Sequence, residues 1–157
     1  MRKRIIGPPT RDAAAAEPKW LELEDLVQVE ISSEEPEHPI ESALVAGAGP
    51  GWRAAQPGEQ TIRLVFDRPQ KLERIRLVFL ETEGERTQEF LLRWSRDGGR
   101  SFQEIARQQW NFSPSGGTQE VEDYRVELAG VTLLELNIVP DKSGGDARAS
   151  LSQLRLA

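Results

Sequence analysis

Residues 89–102 read EFLLRWSRDGGRSF, and this stretch decides the fold class. Phe90, Leu92 and Trp94 occupy every second position, so that one face of an extended strand is apolar and aromatic. Gly98 and Gly99 follow, and glycine permits the positive φ that a tight hairpin requires. The stretch therefore predicts a strand that ends in a hairpin turn, with Trp94 in the core.

The same period of two recurs along the chain on both sides of this hairpin. It predicts strands at 27–32, 62–66, 75–79, 90–94, 102–110, 124–128, 134–138 and 149–156. Turn signals separate them at 67–70, 113–117 and 141–146, and only residues 39–45 have a helical pattern. We predict an all-β fold, a single jelly-roll-like antiparallel β-sandwich of about eight strands. Six side chains in the apolar phase are predicted to be buried between its sheets: Phe66, Leu77, Leu92, Trp94, Val126 and Leu136.

Charge and composition divide the chain into a tail and a body. Residues 1–20 hold five basic and two acidic residues, a net charge of +3, whereas the whole chain carries −6, so the body carries −9. The tail contains Gly7-Pro8-Pro9, which interrupts regular structure. We predict a flexible basic N-terminal tail at 1–20 and one β-sandwich domain at 21–157. An acidic body makes a nucleic-acid partner unfavourable.

The composition also limits the cellular compartment and the partners that we expect for this protein. The chain has no cysteine, which excludes disulfides and thiolate metal sites and favours a reducing cytoplasm. Its apolar runs are too short to cross a bilayer. Behind the basic start lies no apolar stretch typical of a signal peptide. We expect a cytoplasmic protein with no membrane partner.

Residues for catalysis are not found in a recognisable pattern. His38 is the single histidine and lies between prolines at 36 and 39, which favours a surface or turn-capping role over acid–base chemistry. The chain lacks a nucleophile elbow, a phosphate-binding glycine loop and histidine metal spacing. Asp141, Ser143 and Asp146 could hold a cation, but turn capping is favoured. We predict no enzyme activity, no catalytic residue, no metal and no cofactor.

Aromatic residues in the predicted end loops are the candidate binding site. An aromatic ring beside arginine or an amide can stack on a sugar or a nucleobase while the polar edges bind hydroxyls. The residues predicted to bind ligand are Trp52, Arg53, Trp110, Asn111 and Phe112. The alternative is that the rings close the ends of the sandwich. This alternative is favoured for Trp52, and both interpretations stay open for Trp110.

Outward-facing arginines on the strands offer a second interpretation. A basic stripe for phosphates would need several of them on one surface. Neighbouring glutamates favour ordinary cross-strand ion pairs instead. The arginines concerned are Arg63, Arg74, Arg76, Arg93 and Arg125.

The order of these features resembles the discoidin, or galactose-binding-like, β-sandwich superfamily. The resemblance is carried by Ile31-Ser32-Ser33, the helical turn at 39–44, Trp52-Arg53, and Trp94-Ser95-Arg96-Asp97-Gly98 followed by Phe102. It implies recognition of a carbohydrate or another polar ligand by the end loops. Many members hold a structural calcium after the first helical turn, but residues 45–51 lack the carboxylate, so we expect no calcium.

A second, local resemblance covers residues 32–39 and 52–62. These resemble the N-terminal domain of the X-ray cross-complementing single-strand-break repair scaffold, which shares the sandwich fold. It implies an alternative function as a protein-interaction or DNA-repair-type scaffold domain. The leading hypothesis remains a non-catalytic module whose partner is a carbohydrate or other polar small ligand, and the alternative adds a possible protein partner.

Overall fold

The computed structural model describes residues 2–4 and 19–157, which it folds almost entirely into strands. The strands are β1 (Val27–Ile31), β2 (Trp52–Arg53), β3 (Gln60–Leu80), β4 (Arg86–Ser95), β5 (Gln103–Phe112), β6 (Gln119–Val139), β7 (Ser150–Leu151) and β8 (Gln153–Leu156). A 3₁₀ turn, Leu23–Asp25, and a single short helix, α1 (Glu41–Leu44), are the described helical elements. The predicted tail at 1–20 lies for the most part outside the described residues.

Two long strands, β3 and β6, run through both layers of the sandwich. The first part of β3 pairs with the last part of β6, and both lie in the layer with the strand order β1-β3-β6-β4-β5. The last part of β3 pairs with the first part of β6 in the second layer, where β8 pairs with the other edge of β3. The two layers therefore contain five and three strands, and β2 and β7 form a small separate sheet.

Bends in β3 and β6 carry the chain from one layer to the other. The sequence predicts two strands in each region, with a turn at 67–70 in the first, but the structure has one continuous strand in each. The β3–β6 register shifts three times between Val65 and Arg74, around Pro69, which has no N–H to donate. Opposite this bend, Gly130 has φ +71°, a conformation that favours glycine.

A stacked pair of rings joins the two layers in the core. Phe79 on β3 and Phe90 on β4 have ring centroids 5.4 Å apart, although their strands are not paired. Five of the six side chains predicted to be core are buried, which confirms the phase of their strands. The prediction for Val126 is wrong: it is partly buried, because its part of β6 pairs with β3 alone and forms the edge of the three-stranded layer.

The hairpin between β4 and β5 is held by Asp97. Its carboxylate accepts hydrogen bonds from Ser95 Oγ at 2.6 Å, from Ser101 Oγ at 2.6 Å and from Ser101 N–H at 2.9 Å. Led by the Ser101 hydroxyl, these bonds hold the pKa of Asp97 well below its ordinary value. Gly98 and Gly99 both have positive φ, as the sequence predicts.

The outward arginines do not form one basic stripe, because Arg63 and Arg93 lie on the five-stranded layer and Arg74 lies on the three-stranded layer. Arg63 and Arg93 donate to the two oxygens of the same carboxylate, Glu135, at 2.8 and 2.7 Å. Burial opposes ionisation of Glu135, but these bonds outweigh it and lower its pKa. Arg74, on the three-stranded layer, binds Asp123 in a bidentate pair. Cross-strand ion pairing is therefore the correct interpretation.

No helix among the described residues is both long and apolar enough to span a membrane.

Candidate functional site

Three connecting segments and the small β2–β7 sheet form a cleft at one end of the sandwich. The segments lie within residues 32–59, 81–85 and 140–149. The cleft has a volume of about 400 Å³, within the range of small-molecule sites. Six of its lining residues bear on its chemistry: His38, Arg53, Leu80, Glu81, Asp146 and Arg148. We call this the loop-end cleft.

Two arginines, which share one glutamate as their acceptor, supply its hydrogen-bond donors. Glu35 Oε1 accepts a bond of 2.7 Å from Arg148 Nη1, and Arg53 Nε lies 3.7 Å from the same oxygen. The backbone reinforces this arrangement, since Glu35 N–H donates to the Arg53 carbonyl and Arg53 N–H donates to the His38 carbonyl. Both guanidinium groups stay partly exposed. They therefore have N–H groups available for a ligand.

Carboxylates and one aliphatic side chain form the rest of the cleft. Glu81 is fixed by its backbone N–H, which donates to the Thr118 carbonyl, and by its carboxylate, which accepts a bond of 2.9 Å from Arg86. Glu83 and Asp146 add two more acceptors, and Leu80 presents an exposed apolar surface. The cleft therefore offers donors, acceptors and an apolar contact to one small ligand.

Trp52 closes the sandwich beneath the cleft. Its ring is only 1% exposed, and its indole Nε1 donates to the Ser33 carbonyl at 3.0 Å. Protein covers the ring, so Trp52 offers no open stacking face, although it is among the residues that line the cleft. This burial agrees with the alternative that Trp52 closes the end of the sandwich, and its binding of a ligand stays a prediction. Arg53, the next residue, points outward and lines the cleft as the alternation along β2 requires.

The other three predicted site residues lie outside this cleft. Phe112 is 2% exposed and packs under the Arg86 guanidinium at 4.6 Å, so its ring presents no open face for stacking on a ligand. Trp110 is 36% exposed and meets Phe112 edge-on with centroids 6.5 Å apart. Asn111 is exposed, and its Oδ1 accepts a bond from Thr87 Oγ1. Asn111 and Phe112 border a separate polar depression.

The sequence did not identify His38, Glu81 and Arg148, among other lining residues, as binding residues. His38 was assigned a turn role, which is confirmed by the bond of 2.9 Å from its N–H to the Glu35 carbonyl, but its side chain also lines the cleft. Glu81 and Arg148 have no local signal. Arg148 reaches Glu35 across 113 positions of sequence, and a bridge between Gly58 and Arg148 holds it there.

Metal-ligating groups do not gather in the described part of the chain. No cluster of three or more histidine, aspartate or glutamate side chains is found among those residues. Asp141 Oδ1 accepts from the N–H and hydroxyl of Ser143 at 3.1 and 2.7 Å, which is the turn capping that the sequence favoured. In the loop at 45–51, Gly51 N–H donates to Ser42 Oγ.

We expect the melting temperature to stay unchanged in excess chelator. The measurement is a thermal melt with and without EDTA, followed by added calcium. A drop of several degrees that calcium reverses would contradict the prediction and show that backbone carbonyls at 45–51 hold the ion.

Comparison with known proteins establishes the fold. No protein-family model matches the chain, and no curated protein matches it. The module CBM32 of AlyQ, solved with 4,5-unsaturated mannuronic acid, is 16% identical, with a TM-score of 0.62 over 85% of this chain and 95% of that one. The family 32 module of NanJ from Clostridium perfringens, solved with galactose, is 15% identical, with a TM-score of 0.60 over 87% of this chain and 96% of that one. This chain has the β-sandwich fold of those modules.

A third match shows the same fold inside a larger enzyme. The GH29 fucosidase E1_10125 from Ruminococcus gnavus is 10% identical, with a TM-score of 0.61, and the match covers 83% of this chain but 24% of that one. The fold predicted from the discoidin-like features is thus confirmed. The resemblance of residues 32–39 and 52–62 to a repair scaffold stays a prediction.

Proposed function

We propose that this chain is a non-catalytic carbohydrate-binding module and that the loop-end cleft holds a neutral sugar. The observation that carries the proposal is the lining of the cleft, where two partly exposed guanidinium groups, three carboxylates and Leu80 surround about 400 Å³. Sugar hydroxyls both donate and accept hydrogen bonds, so they use both kinds of group. The apolar C–H surface of a sugar ring suits contact with Leu80.

The charge of the cleft favours a neutral sugar over an acidic one. Arg53 and Arg148 share Glu35, and the lining adds Glu81, Glu83 and Asp146. Buried Arg86 balances Glu81, so these groups together carry a net charge of −1. An anionic ligand would be repelled by unpaired acidic groups in a partly enclosed site. A uronic acid of the kind seen in the AlyQ module is therefore expected to bind more weakly than a neutral sugar.

The absence of a catalytic arrangement around His38 supports a binding role. Among the described residues, no side chain is hydrogen-bonded to its imidazole, which therefore lacks the orienting partner that general acid–base catalysis uses. The sequence contains no motif for nucleophilic catalysis either. The three-dimensional neighbours that consist of a binding module alone point in the same direction.

Arg53→Ala is expected to weaken binding of a neutral sugar by about 10-fold or more. Loss of a hydrogen bond to a charged donor typically costs about 1.5–3 kcal/mol, which exceeds a tenfold change. A glycan array would identify the sugar, and titration calorimetry would give the affinities. Arg107→Ala is the matched control, because Arg107 is as exposed as Arg53 (55% against 52%) but lies on β5 outside the cleft. Unchanged affinity for Arg53→Ala, or its loss for Trp110→Ala, would contradict this assignment.

The alternative scaffold function remains a second proposal. The segments that resemble the repair domain, 32–39 and 52–62, contribute His38 and Arg53 to the cleft. Titration with gapped DNA at several salt concentrations tests it, since each phosphate contact contributes about 0.9 to the slope of log affinity against log salt. The acidic body leads us to expect no complex tighter than micromolar. Cytoplasmic location, tested by fractionation, would favour this alternative over glycan binding.

A further inference from the structure

A row of buried polar side chains leads from the loop-end cleft into the interior. Arg86 donates to Glu81 Oε1 at 2.9 Å and to Gln88 Oε1 at 3.0 Å, and Gln88 Nε2 donates to Glu120 Oε1 at 3.1 Å. Gln88 and Glu120 are 0% and 1% exposed, and Arg86 is almost as deeply buried. We call these four residues the buried polar row. It connects a carboxylate of the cleft with a carboxyl group inside the sandwich.

The chemistry of each member fixes how the row is oriented. Arginine can only donate, so the Gln88 carbonyl oxygen must face Arg86. The amide nitrogen of Gln88 therefore faces Glu120 and donates to it. Arg86 is held further by the Pro140 carbonyl at 2.9 Å and by the ring of Phe112. Side chains alone therefore link Glu81 with Glu120.

Glu120 lacks the donors that a buried carboxylate needs. Its Oε2 has no hydrogen-bond partner among the described residues, and the neighbouring acid is Glu122, which accepts from Tyr124 Oη at 3.2 Å. A buried carboxylate with a donor on only one of its oxygens is costly, but a protonated carboxyl can itself donate to the Glu122 carboxylate. Protonation of Glu120 therefore satisfies the whole cluster.

The groups around Glu120 keep its proton bound near neutral pH. Burial, followed by the hydrogen bond and the charge of Glu122, raises the pKa of Glu120 to about 8, although Gln88 and Arg86 oppose the rise. The charged groups that face it are Arg86 on β4, Glu122 on β6 and, through Arg86, Glu81. Tyr124 on β6 is titratable, and burial with the nearby Glu122 raises its pKa well above the ordinary value. On β3, Phe79 lies opposite Glu120, and on β5, Trp110 lies opposite Gln88; both are uncharged.

We propose that Glu120 is a positioning residue for the cleft and acts through its proton. While Glu120 is neutral, Arg86 pairs with Glu81 and fixes the Glu81 carboxylate at the cleft. When Glu120 ionises, its charge draws the Gln88 amide and Arg86 inward, and Glu81 loses its fixed position. The identity of the ligand in the cleft rests on the proposed function. The role of the Glu120 proton does not, since the proton site exists without a ligand.

The sign of the effect on stability follows from the direction of the pKa shift. The pKa of Glu120 in the folded chain, about 8, lies above the ordinary value of 4.5. The folded state therefore binds more protons than the unfolded state between these values. The contribution of Glu120 to stability is complete below about pH 4.5 and is lost as the pH rises through about 8.

Carbon-13 chemical shifts of the glutamate carboxyl groups test the proposal directly. In the full chain without ligand, titrated from pH 5 to 9.5, the carboxyl carbons of Glu120 and Glu81 should shift with the same midpoint near 8. Glu120→Gln retains a carbonyl that accepts from Gln88 and an amide that donates to Glu122, so it mimics the protonated acid. In that variant the Glu81 shift and the unfolding free energy should lose this pH dependence. Glu127→Gln, an exposed site on the same strand, should leave both unchanged.

Each outcome of this titration decides the proposal. A Glu120 midpoint near 4.5, or a Glu81 carboxyl that does not follow Glu120, would overturn it. A glycan identified by array provides a second measurement: its affinity should fall several-fold from pH 6.5 to 9.5 in the original chain and stay constant in Glu120→Gln. Unchanged affinity in both would remove the link to the cleft. If no glycan binds, the proposed function fails while the carboxyl titration still decides the role of Glu120.

Discussion

Phe79→Ala is expected to lower the free energy of unfolding by about 3–5 kcal/mol, the range typical of a buried phenylalanine. Phe79 is fully buried and stacks on Phe90 across the two layers at 5.4 Å. Removing the ring leaves a cavity between β3 and β4, which are not paired by backbone bonds and cannot close it easily. Guanidinium titration of the intact chain, with the slope compared between variants, measures the loss.

Val121→Ala is the control for the Phe79 substitution. Val121 lies on β6 opposite β3 but points outward and is exposed. Its truncation should change the unfolding free energy by less than about 0.5 kcal/mol, as surface substitutions usually do. A loss below about 1 kcal/mol for Phe79→Ala would show that the two layers are not packed as described.

Arg86→Ala is expected to destabilise the fold by about 3–5 kcal/mol, as the loss of one partner of a buried ion pair typically does. The substitution removes donors from Glu81, from the buried oxygen of Gln88 and from the Pro140 carbonyl. It also removes the cation above the Phe112 ring. The same guanidinium titration measures this effect.

Arg107→Ala is the control that distinguishes the effect of burial on stability from the effect of an ion pair alone. Arg107 binds Glu89 at 2.7 Å, as short as any ion pair among the described residues, but it lies at the surface. Exposed ion pairs contribute at most about 1 kcal/mol. If both arginine variants lose the same small amount of stability, the buried polar row is not a structural element of the core.

The alternation of side chains was sufficient to predict most strands. In residues 89–102 it placed Phe90, Leu92 and Trp94 inside, and the structure confirms all three. The pattern works there because successive side chains of a strand point to opposite faces whatever the tertiary context. It overestimated the burial of Val126, because burial at a sheet edge depends on what covers the edge, and the sequence does not contain that information.

The site was predicted only in part, for a similar reason. Arg53 was identified from its place beside Trp52 in a loop, and it lines the cleft. Phe112, also next to a loop, looked like an exposed ring, but its position opposite Arg86 places it on the inner face. Glu81 and Arg148 could not be found, since their place in the cleft depends on partners far away in the sequence.

The sequence by itself determined the period of the strands, the hairpin at Gly98-Gly99 and the absence of cysteine chemistry, because these depend on local stereochemistry and on residue type. Only the tertiary structure decided how β3 and β6 bend through both layers and which loops share the cleft. It alone brought Arg86, Gln88 and Glu120 together in the interior, where low dielectric and missing donors favour a proton on Glu120. Such effects depend on contacts between distant residues and on removal from water, and both arise only when the layers close.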